Sequence, residues 1–324
     1  MFFGLPTQAS DLQAGVRDVL RAACTPAQVR AGWTERPVDL WRSLGELGLL
    51  GLLVSEPDGM GLDDVVAVAV LQEAGYAGVP GPLVETAYVA APLLAAAGAL
   101  PRGLLQGTAL VAVQRHQVVP YAAHADLVLQ ISDGRAHLLE DWKPDPMATV
   151  DGSRAAGRVV GTGVLLDVAP EQVELASLRG ALGSAAFLLG LARRMLDMTV
   201  QYVSGRQQFG VPVGTFQAVK HPLADALVGW EFAVPAVHRA AQSLVDRDPD
   251  AGLHVAMAKA LASDAAWTIG RTTLQAHGAM GYTVEYDLHL FAKRAWAMAA
   301  DWGTAAEHRD TVARTLLDEE RTAR

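Results

Sequence analysis

The sequence is poor in cysteine and in basic charge, and each deficit excludes a class of protein. Cys24 is the one cysteine among 324 residues, which rules out an internal disulfide framework and a cysteine-only metal cluster and favours a reducing compartment. Lys and Arg number 26 against 35 Asp and Glu, a net charge of -9, and no basic stripe occurs. Nucleic acid is therefore not an expected partner.

Long apolar runs are missing as well. The longest apolar stretch, residues 87–100, has 14 residues and contains Pro92, which is too short to span a bilayer. The opening residues, MFFGLPTQASDL, have no basic segment and no sustained apolar run, so we expect no secretory signal. The sequence therefore predicts a cytoplasmic protein without a membrane span.

Three common catalytic signatures are absent. The sequence has no His-Glu-x-x-His, no Gly-x-Ser-x-Gly and no P-loop, which argues against a zinc hydrolase, an α/β-hydrolase and a P-loop NTPase. At 51% hydrophobic and 19% charged residues, a chain of this length is expected to form two or three packed layers or subdomains.

Helical periodicity dominates residues 1–105, which we predict to form an N-terminal helical domain. Apolar residues recur at helical spacing over 39–50. A turn follows at residues 55–61, and Asp63 or Asp64 is the expected N-cap of the next helix.

Short apolar runs separated by turns replace this pattern over residues 106–169, which we predict to form a small β-domain. The clearest signal is the run 127–131, followed by Asp133-Gly134 and the run 136–139. Asp-Gly tolerates the positive φ that tight hairpin turns require, so a β-hairpin is expected here. Residues 159–166 supply further strands.

Helical periodicity returns over residues 170–324, which we predict to form a C-terminal bundle of about four helices. After a first long helix, amphipathic stretches occupy 217–244 and 251–274, and a final one begins at Asp287. The predicted fold class is therefore mainly α with a small central β-domain.

The junction between the first two helices of this bundle combines charge, amides and an aromatic ring. It contains Arg206-Gln207-Gln208-Phe209-Gly210, and Gln217 opens the next helical pattern. A guanidinium binds phosphate, amides bind heterocycle edges and the ring packs on a base, so the combination suits a phosphate-bearing aromatic ligand. A helix–helix turn with a surface arginine is the alternative interpretation.

A second segment, residues 275–286, reads Gln-Ala-His-Gly-Ala-Met-Gly-Tyr-Thr-Val-Glu-Tyr. Together the two segments resemble the acyl-CoA dehydrogenase family, flavoproteins that desaturate acyl-CoA thioesters between Cα and Cβ. The first resembles the family's Arg-x-x-Phe-Gly followed by Phe-Gln, and the second its Gln-x-x-Gly-x-x-Gly-Tyr stretch. The family's order of helical domain, β-domain and helical bundle agrees with the pattern along nearly the whole chain.

The resemblance implies that FAD is shared across a dimer interface. Arg206 is then expected at the pyrophosphate and Phe209 near the adenine, while Gln217, Gln275 and Gly278 line the same groove. A forked cation that does not titrate suits a desolvated diphosphate, and glycine lets backbone approach it closely. Alternatively, Gly278 simply ends a helix.

Two features of the family are missing. Its Thr-Glu-Pro-x-Ala-Gly-Ser and Gly-x-Lys-x-x-Ile-Thr-Asn segments, which bind the flavin ring, do not occur, and residues 114–120 read Gln-Arg-His-Gln-Val-Val-Pro instead. The catalytic base is the second, because Trp302 stands where the family has the Glu of Glu-Gly-Thr, and Gly180 stands at its alternative position. Asp301 is a candidate base if the backbone shifts; otherwise it caps or solvates a surface turn.

Because the chain retains the two motifs but lacks the flavin-ring segments and the base, it resembles the short subunit of the heteromeric acyl-CoA dehydrogenases that degrade steroid side chains in bacteria. A larger homologous subunit would supply the base, the ring-binding β-domain and the thioester site in an α2β2 assembly, with an electron-transferring flavoprotein as acceptor. Two alternatives stay open. One is a self-sufficient homomeric dehydrogenase with Asp301 as base, and the other is a scaffold that has lost flavin.

Overall fold

The computed structural model describes residues 5–322 and is mainly helical with a small sheet, as the sequence predicts. The helices are α1 Thr7–Ala23, α2 Pro26–Ala31, α3 Val38–Glu46, α4 Asp64–Ala77, a π-helix Val84–Ala90, α5 Ala91–Ala96, α6 Pro170–Gly205, α7 Gln217–Val245, α8 Ala251–His277, α9 Leu288–Ala299 and α10 Ala305–Thr322. The strands are β1 Val111–Gln114, β2 Val118–Val119, β3 Leu127–Ser132, β4 Arg135–Met147, β5 Ala156–Leu165, β6 Gln207–Gln208 and β7 Val211–Pro212.

The chain divides into two compact units, each built from separate segments. The first contains the described residues up to Leu20, Val68–Gly78 and the described residues from Ser184. The second contains Arg21–Ala67 and Val79–Gly183. The division of the sequence into three domains, at residues 105 and 169, stays a prediction.

The sheet of the second unit has the strand order β1-β3-β4-β5-β2, with β1 and β3 parallel and the other pairs antiparallel. The predicted hairpin is confirmed: Ser132 pairs with Arg135, and Asp133 and Gly134 have φ values of 51° and 69°. Both turn residues therefore have the left-handed backbone of a tight hairpin. The core of the sheet is a cluster of buried residues, Ala112, Val119, Tyr121, Ala122, Val128, Leu139 and Val159.

Strand β4 is longer than the sequence predicts. The apolar pattern ends at Leu139, but the strand continues to Met147, and Pro144 and Pro146 pair in register with β5. The pairing of β3 with β4 extends only to Leu139, so the described part of the chain supplies no strand along this far edge. Proline is tolerated there because no ladder partner requires its missing N–H.

Asp63 and Asp64 have different roles in the second unit. Asp63 Oδ1 accepts a hydrogen bond of 2.9 Å from the Val66 N–H, so Asp63 caps α4. Asp64 is buried and accepts from the Tyr88 hydroxyl at 2.7 Å and from Arg179 Nε and Nη2 at 2.8 and 3.0 Å. Burial, with Asp64 beside the hydroxyl, raises the pKa of Tyr88 well above its ordinary value. This network joins the start of α4, the π-helix and the first part of α6.

The first unit is a helical bundle in which α4 and α6 approach very closely. A side chain at Gly75 would collide with the carbonyl of Phe187, and one at Gly190 would collide with the carbonyl of Gln72. Glycine at both positions therefore lets the two helix backbones meet. Within the described residues, α6 alone is long and apolar enough by composition to cross a membrane, but 78% of that stretch is buried inside the fold, as in a core helix.

The expectation of one final helix from Asp287 is wrong, because the segment contains two helices, α9 and α10. Trp302 and Gly303 separate them, with φ values of 56° and 103°. Backbone with positive φ cannot continue a right-handed helix, so the chain turns at this point.

Candidate functional site

The first motif forms a small hairpin directly after α6. The Arg206 N–H donates to the Tyr202 carbonyl at 2.9 Å, and the Arg206 carbonyl accepts from the Val213 N–H at 2.8 Å. Between these bonds β6 and β7 pair, and Phe209 and Gly210 form the turn with φ values of 55° and 79°. The hairpin therefore fixes the Arg206 backbone at its base and places Phe209 at its tip, where the ring is 92% exposed.

Helix α7 begins immediately beyond this hairpin. Phe216 precedes it with extended backbone, and its ring lies 6.3 Å from the Phe209 ring in an edge-to-face arrangement. Gln217 is the first residue of α7, and its side chain is exposed. The structure thus gathers the arginine, the aromatic ring and the glutamine of the first motif on the surface of the first unit.

Three rings connect the first motif to the second. The His277 ring stacks on Tyr202 with centroids 4.3 Å apart and lies 4.8 Å from Tyr286, and the two tyrosine rings are 5.5 Å apart. His277 is buried, and its Nδ1 lies 2.8 Å from the Thr273 carbonyl. Burial lowers the pKa of His277, although the bond to Thr273 opposes this shift. His277 is thus a hydrogen-bonded core residue that holds the ends of α6 and α8 together.

The second motif places Gln275 and Gly278 at the end of α8. Gln275 is exposed on the last turn of the helix. Gly278 ends the helix with φ 58° and ψ −135°, so the structural interpretation of this glycine holds. A Cβ built at Gly278 would meet no atom within 4 Å, so the surface beside it is open.

A groove of about 650 Å³ lies between the first turns of α7 and the last turns of α8. Its lining is Ala218, Val219, Pro222, Trp267, Thr268, Arg271, Thr272, Leu274, Gln275, Ala276 and Tyr282. Of the predicted site residues, only Gln275 belongs to this lining, while Gln217 adjoins Ala218 in the chain. Sequence reasoning missed Trp267 and Arg271, although they precede Gln275 at four-residue spacing on one helical face.

The loop at residues 299–303, where the resemblance places the catalytic base, is held by hydrogen bonds. Lys259 is fully buried, and its Nζ donates to Ser263 Oγ at 3.0 Å and to the carbonyls of Ala299 and Gly303 at 3.0 and 3.1 Å. The Trp302 carbonyl lies 2.9 Å from His308 Nε2, and the Trp302 side chain is buried. The loop is therefore held at its beginning and at its end.

Neither position expected for the base carries a carboxylate. Trp302 is a buried aromatic residue, and Gly180 is buried in α6 without a side chain. Asp301 is half-buried after α9, and its N–H donates to the Met298 carbonyl at 3.0 Å. The structure places Asp301 in a helix-terminating turn, which favours a structural role.

Comparison with known proteins identifies the family. Residues 6–99 match the acyl-CoA dehydrogenase N-terminal domain, and residues 173–317 match the acyl-CoA dehydrogenase C-terminal domain. The acyl-CoA dehydrogenase IpdE2 of Mycobacterium tuberculosis is 33% identical over 308 residues, which cover 91% of this chain and 92% of IpdE2. The acyl-CoA dehydrogenase FadE34 of the same organism is 32% identical over 328 residues, which cover 88% of this chain and 45% of FadE34.

The same fold occurs in a solved structure. A chain of the ChsE4-ChsE5 complex from Mycobacterium tuberculosis superposes with a TM-score of 0.83 at 24% identity, covering 98% of this chain and 99% of that one. The two domain matches together cover more than half of the chain, and IpdE2 is more than 30% identical over nearly all of it. The chain belongs to the acyl-CoA dehydrogenase family.

Proposed function

We propose that this chain is the short subunit of a heteromeric acyl-CoA dehydrogenase and contributes FAD contacts to a larger homologous subunit. One observation carries the proposal: the FAD-motif residues lie open on the surface, whereas the base position is a closed loop around Trp302. A subunit that shares a cofactor with a partner must expose its contacts, and it needs no base if the partner supplies one.

The exposed residues fit an FAD contact surface. Arg206 has no side-chain hydrogen bond or ion pair with any described residue, so its guanidinium is available for phosphate. Gln217 and Gln275 present amides for polar edges, Phe209 presents an aromatic face, and Gly278 leaves open surface. In this proposal bound FAD would be the acceptor of the hydride from the substrate Cβ, and the residues of this chain would bind and orient its nucleotide end.

Proton removal is assigned to the partner. A base for the substrate Cα needs a carboxylate in an apolar pocket with a pKa raised toward neutrality. In this chain Trp302 and Gly180 replace the two expected carboxylates. The larger subunit therefore carries the base, the flavin-ring site and the acyl-CoA thioester site.

The relatives are consistent with an assembly of this chain and a second protein. The alignment with FadE34 covers only 45% of that protein, which leaves room for a second body of similar size in one polypeptide. The solved relative with the same fold is a component of a two-protein complex. We infer an α2β2 assembly in the cytoplasm, with a bulky acyl-CoA of the steroid side-chain type as substrate and an electron-transferring flavoprotein as acceptor.

The test is the flavin content of the complex after mutation of Arg206. The chain is co-expressed with the larger acyl-CoA dehydrogenase subunit encoded nearest to it, and the visible flavin spectrum of the purified complex is recorded. Arg206→Ala removes a charge-assisted contact worth roughly 1.5–3 kcal/mol, so FAD affinity should fall about tenfold to a hundredfold. Arg21→Ala, at an exposed helical arginine, is the control.

Each alternative has its own outcome in this experiment. A yellow, active protein when the chain is purified alone would support the homomeric dehydrogenase. A complex that contains no flavin would support the flavin-free scaffold. If the wild-type complex contains flavin and the Arg206→Ala complex retains it equally well, Arg206 does not belong to the site.

A further inference from the structure

A path of contacts leads from His277 to the backbone of Arg206. His277 is the last residue of α8, and its ring stacks on that of Tyr202, near the end of α6, with the two ring planes 21° apart. The Tyr202 carbonyl accepts the 2.9 Å bond from the Arg206 N–H at which the hairpin of the first motif begins. The imidazole therefore contacts the residue on which the base of this hairpin is fixed.

The hydrogen bonds of His277 determine which ring nitrogen carries the proton. Nδ1 lies 2.8 Å from the Thr273 carbonyl, and because a carbonyl oxygen only accepts, Nδ1 is the protonated nitrogen. Nε2 is buried and makes no hydrogen bond to a described residue. An imidazolium would therefore have a buried N–H without an acceptor, which is costly, whereas the neutral ring has none. The surroundings of His277 fit its neutral form.

Tyr286 completes a triangle of rings around this position. Its ring lies 4.8 Å from that of His277 and 5.5 Å from that of Tyr202, and its hydroxyl donates to the Met198 carbonyl of α6 at 3.2 Å. The ring of His277, at 4.3 Å, is the nearer of these two neighbours of Tyr202. Removal of the imidazole would therefore leave Tyr202 without its closer contact in the triangle.

We infer that His277 is a positioning residue for the hairpin at residues 206–213: its neutral imidazole holds Tyr202 in place, and Tyr202 holds the backbone of Arg206. The inference rests on the proposed function, because the hairpin matters through the flavin contacts that it carries. It extends that function by assigning a role to a buried side chain that touches no ligand itself, and by making the order of the hairpin sensitive to acid.

The titratable groups around His277 provide no counter-charge for an imidazolium. They are the phenols of Tyr202 on α6 and of Tyr286 before α9, and burial raises the pKa of Tyr286, while Arg194 opposes this shift and Asp287 adds to it. Burial lowers the pKa of His277, a bond within its own helix opposes the shift, and no charge on a described residue contributes to it. As the pH falls below about 6.5, the ordinary pKa of a solvated histidine, protonation therefore favours release of the ring from the stack.

The test compares two variants that separate the ring from its titration. His277→Phe keeps an aromatic ring but cannot be protonated, and His277→Gln keeps an amide donor but removes the ring. Hydrogen–deuterium exchange of the purified full chain, without flavin, is followed by mass spectrometry on the peptide that covers residues 206–213. At pH 7.5 we expect His277→Gln to lower the protection of this peptide about threefold to tenfold, as for loss of an aromatic pair, and His277→Phe to match the wild type.

The pH dependence is a readout that a merely structural role would not change. Between pH 7.5 and pH 5.5, after correction for the intrinsic exchange rate, protection of the hairpin should fall in the wild type and stay constant in His277→Phe. Residues 127–139, which form the β3–β4 hairpin, are the internal control and should not follow these changes. His221→Gln is the matched control variant, because His221 is exposed on α7, and it should behave like the wild type.

Two results would overturn the inference. One is equal protection of residues 206–213 in the wild type and in His277→Gln at pH 7.5, and the other is the same pH dependence in the wild type and in His277→Phe. Loss of protection along the whole chain in His277→Gln would also contradict it, because the ring would then stabilise the bundle as a whole. His277→Phe keeps a ring in the core, so its pH series tests the inference even where His277→Gln does not fold.

The flavin content of the complex separates this inference from the proposed function. A hairpin loosened by His277→Gln, with flavin lost from the complex as in Arg206→Ala, supports both. A loosened hairpin in a chain whose wild-type complex never contains flavin supports the positioning role and overturns the FAD role of the hairpin. A complex that retains flavin equally well with a loosened hairpin overturns the link between His277 and the cofactor.

Discussion

Two regions of the first unit, the two sequence motifs and the loop at residues 299–303, differ in how many of their polar side chains bind other residues of the chain. In the two sequence motifs, Arg206, Gln217 and Gln275 are exposed, and Arg206 makes no side-chain hydrogen bond or ion pair with a described residue. At the base loop, residues 299–303, the side chain of Lys259 from α8 binds three oxygen atoms, two of them carbonyls of the loop, and Trp302 is buried. The charge of Arg206 in the first region is exposed and unpaired, whereas the charge of Lys259 in the second is buried and hydrogen-bonded.

This difference agrees with the proposed division of the site between two subunits. A side chain that must bind an external phosphate is left unpaired in the free subunit, whereas a side chain that only maintains the fold is satisfied internally. The base loop keeps the family's Gly-Thr at Gly303-Thr304, but Trp302 replaces the carboxylate, and the proposed function therefore assigns the loop a structural role. The comparison therefore predicts opposite consequences for mutations in the two regions.

The largest effect is expected from Lys259→Met. This change removes the donor from the carbonyls of Ala299 and Gly303 and from Ser263. An unsatisfied buried polar group costs about 1–3 kcal/mol, so the free energy of unfolding should fall by about 3 kcal/mol or more. Urea unfolding monitored by circular dichroism measures this change.

Lys220→Met is the control for this prediction, because Lys220 is exposed on α7. It should change the stability by less than about 0.5 kcal/mol. A stability equal to that of the wild type would show that the base loop is not held by this lysine.

The hairpin and the two motifs were predictable from the sequence, whereas the helix break and the groove depend on tertiary structure. The Asp133-Gly134 hairpin follows from local backbone preference, and the two motifs carry Arg206 and Gln275 in their own sequence. The missed helix break at Trp302 has a left-handed residue other than glycine, which propensity does not signal. The groove that Gln275 lines together with Ala218 and Val219 depends on α7 packing beside α8, which no local pattern encodes.

Two further misses have the same origin. The proline residues of β4 normally argue against a strand, and only the missing neighbour beyond Leu139 makes them acceptable. The stack of Tyr202, His277 and Tyr286 joins segments that are far apart in sequence. Sequence spacing identified the motifs at both ends of this stack but not the contact between them.

An intermediate effect is expected from acid at His277, which lies between the two motifs. Burial lowers its pKa below the ordinary value of 6.5. The unfolded chain therefore takes up the proton first, so the stability that neutral His277 contributes is present above about pH 6.5 and is lost as the pH falls below it.

The measurement is the midpoint of thermal unfolding of the wild type and of His277→Gln between pH 8 and pH 5.5. The midpoint of the wild type should fall more steeply with acid than that of the variant, which cannot titrate at this position. His221→Gln is the control, because His221 is exposed on α7. Parallel curves for wild type and His277→Gln would mean that protonation of His277 does not lower the stability of the fold.

The smallest effect is expected from Asp301→Asn, and this variant tests the comparison most directly. A general base contributes about 10²–10⁴-fold to the rate, so loss of a true base would abolish most turnover. Asp301 instead belongs to the turn after α9, where its N–H binds the Met298 carbonyl at 3.0 Å and the next residue has a φ of 56°. We therefore expect turnover of the flavin-loaded complex with an acyl-CoA and an artificial electron acceptor to stay within about twofold of wild type. Since asparagine preserves the size of the side chain, a hundredfold loss with an unchanged unfolding midpoint would assign the base to this chain and make the homomeric dehydrogenase the better interpretation.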